Sequence, residues 1–403
     1  MKILFLVPYA PNPIRTRPYN LLRALARRGH QITLATLWQN ESERQDLARL
    51  AAEGIEILSA PLTRLRIARN LGRALPSRDP LQAWYCWEPK LLQMVIRAFV
   101  ERTNNHWEIF HVEHLRGAKY ALALQARFPD TPIVWDSVDC ISHLFSQAAG
   151  QGQGFFGRRV TRFDLARTRR YEARLVRSLP HILVTSAQDR QALAALGAGG
   201  SPENITVLPN GVDLDYFHPN PAVERQPETL VVSGKMSYHA NVSMVLQLVQ
   251  DILPLIWQPR PAVRLVIAGA DPPPALQTLA ADERITLTGR VPDLRPALWS
   301  ASAALAPLSY GAGIQNKVLE AMACGTPVIS SPQGAAALQA RPGKDLLVAA
   351  DPGQFAAAIV QLLSDPAQQA QLSRAGRAYV TARHDWDQIA AQLEQYYTQH
   401  IHA

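Results

Sequence analysis

The chain has 403 residues, 47% hydrophobic and 18% charged, a composition that fits two or three packed domains and excludes wholesale disorder. The formal charge of +8 is unevenly spread: residues 1–207 hold 28 Lys and Arg against 17 Asp and Glu, and residues 208–403 hold 13 against 16. Three scattered cysteines, Cys86, Cys140 and Cys324, exclude a disulfide framework and a cysteine zinc site and point to a reducing cytoplasm.

No run of about 20 apolar residues reads as a spanning helix. The opening KILFLV (2–7) stops at Pro8 and an amphipathic segment follows, so it reads as a first strand rather than a signal peptide. Further strands are expected at 31–37, 55–60, 108–112, 132–136, 181–185 and 204–208, with amphipathic helices such as 17–29 and 117–128 between them. That alternation predicts right-handed βαβ units on a parallel sheet. Residues 208–228, rich in Pro, Asn and Asp, read as a linker. The pattern then restarts, with strands at 229–234, 264–269, 285–289, 303–307, 327–330 and 345–349 and helices at 240–256, 273–281, from 317, and at 353–364. The last segment, 367–400, reads as helix, and 380–403 is expected to pack back on the first half. The fold class expected is α/β: two doubly wound Rossmann-like domains, 1–207 and 208–379, facing a cleft.

The stretch GIQNKVLEAMACGTPVI (313–329) holds one cation, Lys317, and one acid, Glu320, among small and apolar residues. The two could pair within the helix, an interaction worth about 0.2–0.5 kcal/mol. A ligand could also use them. Gly311-Ala312-Gly313 follows a strand and precedes the helix, and glycines there let backbone N–H groups approach an anion. Lys317 lies in the first turn, where a cation opposes the helix dipole and a phosphate would reverse the argument.

At these residues a family resemblance enters. VLEAMACGTPVIS (318–330) and VLPNGVDLDYFHP (207–219) resemble the signatures of family 4 retaining glycosyltransferases, which have the GT-B fold. RALARRGHQITLATL (23–37), LVIAGADPP and ITLTGRVPDL are similar to that family's other elements, in the same order. HVEHLRGAKYALAL resembles a bacterial subgroup linked to exopolysaccharide assembly. The resemblance implies a nucleotide-sugar donor in the second domain and a glycan, lipid-linked or small-molecule acceptor in the first. Glu320 matches the acid that binds the nucleotide ribose, a carboxylate being able to accept two hydrogen bonds from a diol. Gly234 and Lys235 match the turn that holds the diphosphate, Arg290 and Val291 the segment at the base, and Gly313 and Ile314 the backbone that meets the donor.

The sequence departs from the family in two places. A second glutamate eight positions before Glu320 is replaced by Ala312, and the turn after the first strand of the second domain has Lys235 but no second lysine. Lys317 could supply the missing charge. Two cations beside a leaving diphosphate would stabilise its developing negative charge. The resemblance implies a family that manages this charge with helix dipoles and basic residues, and neither a metal nor a separate cofactor is assigned.

In the first half, Glu113 and His114 end a strand, and either could occupy the family's histidine position near the acceptor, taking a proton or positioning a hydroxyl. A strand-end polar pair is the plainer alternative. Asp136 and Asp139 read as loop-ordering acids. Arg15 and Arg17, in the first βα loop, are candidates for acceptor or phosphate contact. Two basic stretches, 62–75 and 158–177, set arginines beside apolar residues at helical spacing. They read as solvated helix faces or as docking surfaces for anionic lipid. Nucleic-acid binding is not supported, because no aromatic-basic recognition motif occurs. The function expected is sugar transfer with retention, in polysaccharide or glycoconjugate assembly at the cytoplasmic membrane surface. A nucleotide-sugar-binding protein without turnover is the alternative.

Overall fold

Strands covered on both faces need continuous apolar runs rather than alternation. Such runs form two parallel sheets in the structure, a computed structural model that describes residues 1–101, 106–150, 155–197, 202–310 and 313–401. The chain divides into two compact units, Met1–Pro209 with Trp386–Ala403, and Asn210–Asp385.

The first unit holds β1 (Lys2–Val7), β2 (Gln31–Trp38), β3 (Glu56–Pro61), β4 (Ile109–Glu113), β5 (Ile133–Val138), β6 (His181–Val184) and β7 (Ile205–Val207). Their order is β3-β2-β1-β4-β5-β6-β7. Leu4 of β1 lies opposite Thr33 on one side and Phe110 on the other. Strand order therefore reverses between β1 and β4, the position where doubly wound sheets bind ligands. One face packs Leu4, Leu6, Phe110 and Trp135 with Leu115 and Tyr120 of the helix His114–Arg127. The other packs Ile3, Phe5 and Leu34 with Leu21 and Leu25 of the helix Thr16–Arg27 and with Ile389, Leu393 and Tyr397 of the helix Trp386–Ile401.

The second unit holds β8 (Gln226–Ser233), β9 (Arg264–Ala268), β10 (Ile285–Gly289), β11 (Ala301–Ala306), β12 (Val328–Ser330) and β13 (Leu347–Val348), in the order β10-β9-β8-β11-β12-β13. Its reversal lies between β8 and β11. One helical run, His239–Trp257, is long and apolar enough to cross a membrane by length and composition alone. Its Met244, Val245, Leu248, Ile252, Leu253 and Ile256 are fully buried, as in a core helix. A π-turn, Leu248–Ile252, interrupts it just before Pro254, which cannot donate the next helical hydrogen bond.

The final segment differs from the single helix read in the sequence. One helix, Pro366–Arg383, belongs to the second unit and another, Trp386–Ile401, to the first. The break needs no Gly or Pro. His384 is drawn out of the helix by its own partners: its Nδ1 donates to Asn210 O at 2.7 Å, its Nε2 accepts from Tyr379 Oη at 2.9 Å, and its carbonyl accepts Val212 N at 2.6 Å. The second unit thus runs to Asp385 rather than 379. Leu393 is fully buried in the first unit's core. Leu393→Ala should lower stability to urea by about 2–5 kcal/mol, and a loss below about 1 kcal/mol would mean that the last helix is not part of that core.

Candidate functional site

In the second unit the ends of β8 and β9 come so close that a Cβ at Gly269 would lie 1.7 Å from Gly234 O. Gly234 itself has φ +142°, a conformation open to glycine. The turn is pinned by Gly234 N to Ala268 O (3.1 Å) and Met236 N to Ala270 O (2.9 Å). It presents Lys235 to solvent. The helix His239–Gln247 follows, and its Asn241 joins the two sides of the strand reversal. Asn241 Nδ2 donates to Lys235 O at 2.9 Å, and Asn241 Oδ1 accepts from Lys317 Nζ at 2.6 Å.

Lys317 lies in the first turn of the helix Asn316–Ala323, which has no acid in that turn. Its hydrocarbon approaches to 3.5 Å of the Cβ position at Gly234. Glu320 follows one turn later and is half-buried. Its carboxylate has neither a hydrogen bond nor an ion pair among the described residues. The helix therefore does not pair Lys317 with Glu320, because the ammonium is turned to Asn241. Burial pushes the Glu320 carboxyl up to about 7, opposed by the nearby Lys317 charge. Burial likewise pushes Lys317 down to about 8, opposed by Glu320.

Of the neighbouring candidates, Gly313 has φ +63° and Ile314 is buried in the core. Ala312, with Gly311, lies outside the described residues. Arg290 is exposed, with only 3.4 Å contacts to Asp271, and Val291 is half-buried. Sequence reading missed Asn241, whose signal was its place in the first turn of the helix after Gly234-Lys235. It also missed a stacked pair beside it, His239 Nδ1 to Tyr310 Oη at 2.6 Å.

In the first unit, Glu113 ends β4 fully buried. Its Oε1 accepts from Tyr9 Oη at 2.9 Å and its Oε2 has no partner. Burial, with the Asp136 charge adding to it, pushes its carboxyl up to about 8. His114 has φ +67°, a conformation rare outside glycine. Its Nδ1 accepts Arg116 N at 3.3 Å, and burial and the Arg116 charge push the ring down to about 3. It is therefore neutral, with Nε2 carrying the hydrogen.

Arg15 pairs with Glu43 at 3.0 Å and donates to Ala10 O at 2.9 Å. Arg17, expected to meet an acceptor or phosphate, instead turns inward. Its Nε and Nη2 lie 2.8 and 2.7 Å from Asp136 Oδ2, and Nη1 donates to Leu208 O and Pro209 O at 3.1 and 3.2 Å. Buried, it ties the segment that follows β7 to the unit's first helix. Asp136 is its counter-ion as well as a loop-ordering acid: burial would raise its carboxyl, but Arg17 and His111 outweigh burial and hold it at about 2. Burial also raises Asp139, which accepts Thr185 Oγ1 at 3.2 Å.

The basic stretch 62–75 forms the helix Arg64–Ala74, which exposes Arg64, Leu65, Arg69 and Arg73. In the stretch 158–177, the side chains of 158–162 lie outside the described residues. Arg167 there is buried against Ala74 O and Leu75 O at 2.9 and 2.8 Å.

Comparison with known proteins gives two family matches that follow each other along the chain. Residues 14–216 match the family described as "Glycosyltransferase Family 4", and residues 227–365 match "Glycosyl transferases group 1". A glycogen synthase of Mycobacterium tuberculosis is 28% identical over 310 residues, covering 73% of this chain and 70% of the relative. Among solved structures, sucrose-phosphate synthase from Thermosynechococcus elongatus superposes with a TM-score of 0.69 at 18% identity over 99% of both chains. HepE of Anabaena, solved with UDP-glucose, gives 0.67 at 15% identity, again over 99% of both. At such identities the superpositions establish the GT-B fold.

Glu113 generates a pH test. Its folded value, about 8, is raised above its unfolded one, so between the two the folded state binds the extra proton and stability falls as pH rises. Urea unfolding of Glu113→Gln should show a smaller loss of stability than wild type from pH 5 to pH 8.5. Identical slopes would contradict the buried, protonated carboxyl.

Proposed function

The chain belongs to glycosyltransferase family 4, and from that premise we propose that it moves a sugar from a nucleoside diphosphate sugar to an acceptor hydroxyl with retention at the anomeric carbon. One observation carries the reading: Lys317, fixed by Asn241 beside the Gly234-Lys235 turn, stands one helical turn from the unpartnered Glu320. In this reading Lys317 and Lys235 hold the diphosphate and offset the charge that develops on it as the sugar leaves. Glu320 accepts hydrogen bonds from the ribose diol. The backbone of Gly313 and Ile314 meets the donor, and the segment at Arg290 and Val291 meets the base. The reading calls for no cofactor beyond the donor. Neutral His114 with its Nε2–H, or the Glu113 carboxyl, positions the acceptor hydroxyl.

Thermal-shift screening with UDP-, GDP-, ADP- and dTDP-sugars identifies the donor, since a ligand at 100 times its Kd adds about 2.7 kcal/mol. With that donor, Glu320→Gln should weaken binding at least tenfold, or about 1.4 kcal/mol. Asn241→Ala should weaken the nucleoside diphosphate but not the nucleoside. Wild-type affinity should fall below pH 7, as Glu320 takes up a proton, and above pH 8, as Lys317 loses one. Glu320→Gln should lack the acid limb. Unchanged affinity in Glu320→Gln would remove the assigned role, and tight donor binding without transfer or hydrolysis would leave a binding protein instead.

We further propose work in polysaccharide or glycoconjugate assembly, with peripheral contact at the cytoplasmic face of an anionic membrane. Leu65, 74% exposed among Arg64, Arg69 and Arg73, supports that contact. Cosedimentation with phosphatidylglycerol vesicles should drop several-fold in Leu65→Glu, and equal binding by the variant would remove this surface from the reading.

A further inference from the structure

The first unit contains a pocket of about 240 Å³ that the donor reading leaves unused. Leu71, Leu81 and Phe145 give it apolar walls, Tyr85 an aromatic face, and Gln82, Arg116 and Asp164 its polar groups. An apolar cavity of ~150 Å³ holds benzene, so this one has room for a ring or a short branched chain.

Arg116 gives the pocket its sign. Its Nε donates to Gln82 Oε1 at 3.0 Å, and the guanidinium carbon lies 5.0 Å from the centre of the Tyr85 ring. These two contacts fix the fork. Both terminal nitrogens are left without a partner among the described residues, and no acid pairs with them there. Asp164 does not fill that role: its Oδ1 accepts Leu81 N at 3.0 Å, and the charge that acts on its carboxylate is that of Arg167. Arg116 also sits in the first turn of the helix His114–Arg127, which has no acid in that turn and no side-chain cap. A cation is unfavourable at that end, and an anion beside it would relieve the conflict. A planar fork with two free nitrogens suits a phosphate or carboxylate, bound bidentately.

We infer that this pocket binds an amphiphilic organic anion, its phosphate or carboxylate on Arg116 and its apolar body against Leu71, Leu81 and Phe145. Resting on the transfer reading above, the bound group is the anchoring part of the acceptor. The anion site follows Glu113 and His114 by two to three residues on the same strand–helix connection.

The test uses the full chain and three probes in calorimetry: geranyl phosphate, geraniol and inorganic phosphate. Geranyl phosphate should bind at least tenfold more tightly than either of the others, which separates the amphiphile from a free phosphate or a bare chain without any variant. Arg116→Gln should cost at least tenfold for geranyl phosphate, and Leu71→Trp, which fills the pocket, should cost as much or more. Equal binding of geraniol, or geranyl phosphate binding unchanged in both variants, would overturn the inference. Donor hydrolysis by the wild-type chain is scored separately. Pocket variants that bind like wild type beside an active donor reaction would sink the pocket alone, and Arg116-dependent binding beside an inert donor would sink the transfer reading alone.

Discussion

Asn241 takes a lysine ammonium on its oxygen and a backbone carbonyl on its nitrogen, and so ties the turn after β8 to the helix after β11. A hydrogen bond to a charged group contributes about 1.5–3 kcal/mol. Here its geometric consequence is larger than its energy. It draws Lys317 towards the Gly234 turn and away from direct pairing with Glu320, so a cation and a carboxylate without a direct ion pair stand one turn apart on one helix. Gly234 and Gly269 make this arrangement sterically open, since a side chain at Gly269 would collide with the Gly234 carbonyl. The two perturbed groups, an acid raised to about 7 and a lysine lowered to about 8, are what burial without a direct ion pair produces.

The first unit handles charge differently. Arg17 and Asp136 neutralise each other beneath the strand ends, and removing either would leave a buried charge unpaired. His111 lies 3.5 Å from the same carboxylate, and its Nδ1 meets Tyr397 Oη at 2.6 Å. A residue of the last helix is thereby linked to the centre of the sheet. The fixed negative charge of Asp136 also acts on Glu113, helping burial to keep that carboxyl protonated. One acid is ionised and its neighbour neutral because only one has a guanidinium.

Much of this was legible in the chain. Apolar runs separated by helical periodicity predicted both parallel sheets, and a glycine turn before Lys317 and Glu320 pointed to the end of the second sheet where we propose that the donor sits. What could not be read was which polar partner each charged group would choose. Arg17 looked like a loop cation because its counter-ion lies 119 positions away, beyond any local pattern. Lys317 had Glu320 as an obvious partner three residues on, and chose Asn241, 76 positions back. The break at His384 left no Gly or Pro signal because tertiary hydrogen bonds, not propensity, end that helix.

The central claim is that the second unit grips a nucleoside diphosphate between the Gly234 turn and the helix of Lys317 and Glu320. A crystal structure with the donor nucleotide bound tests it most directly. The account predicts a Glu320 carboxylate oxygen within hydrogen-bond distance of the ribose hydroxyls and Lys317 Nζ on a diphosphate oxygen. A nucleotide seated elsewhere, with Glu320 contacting no part of it, would contradict the account.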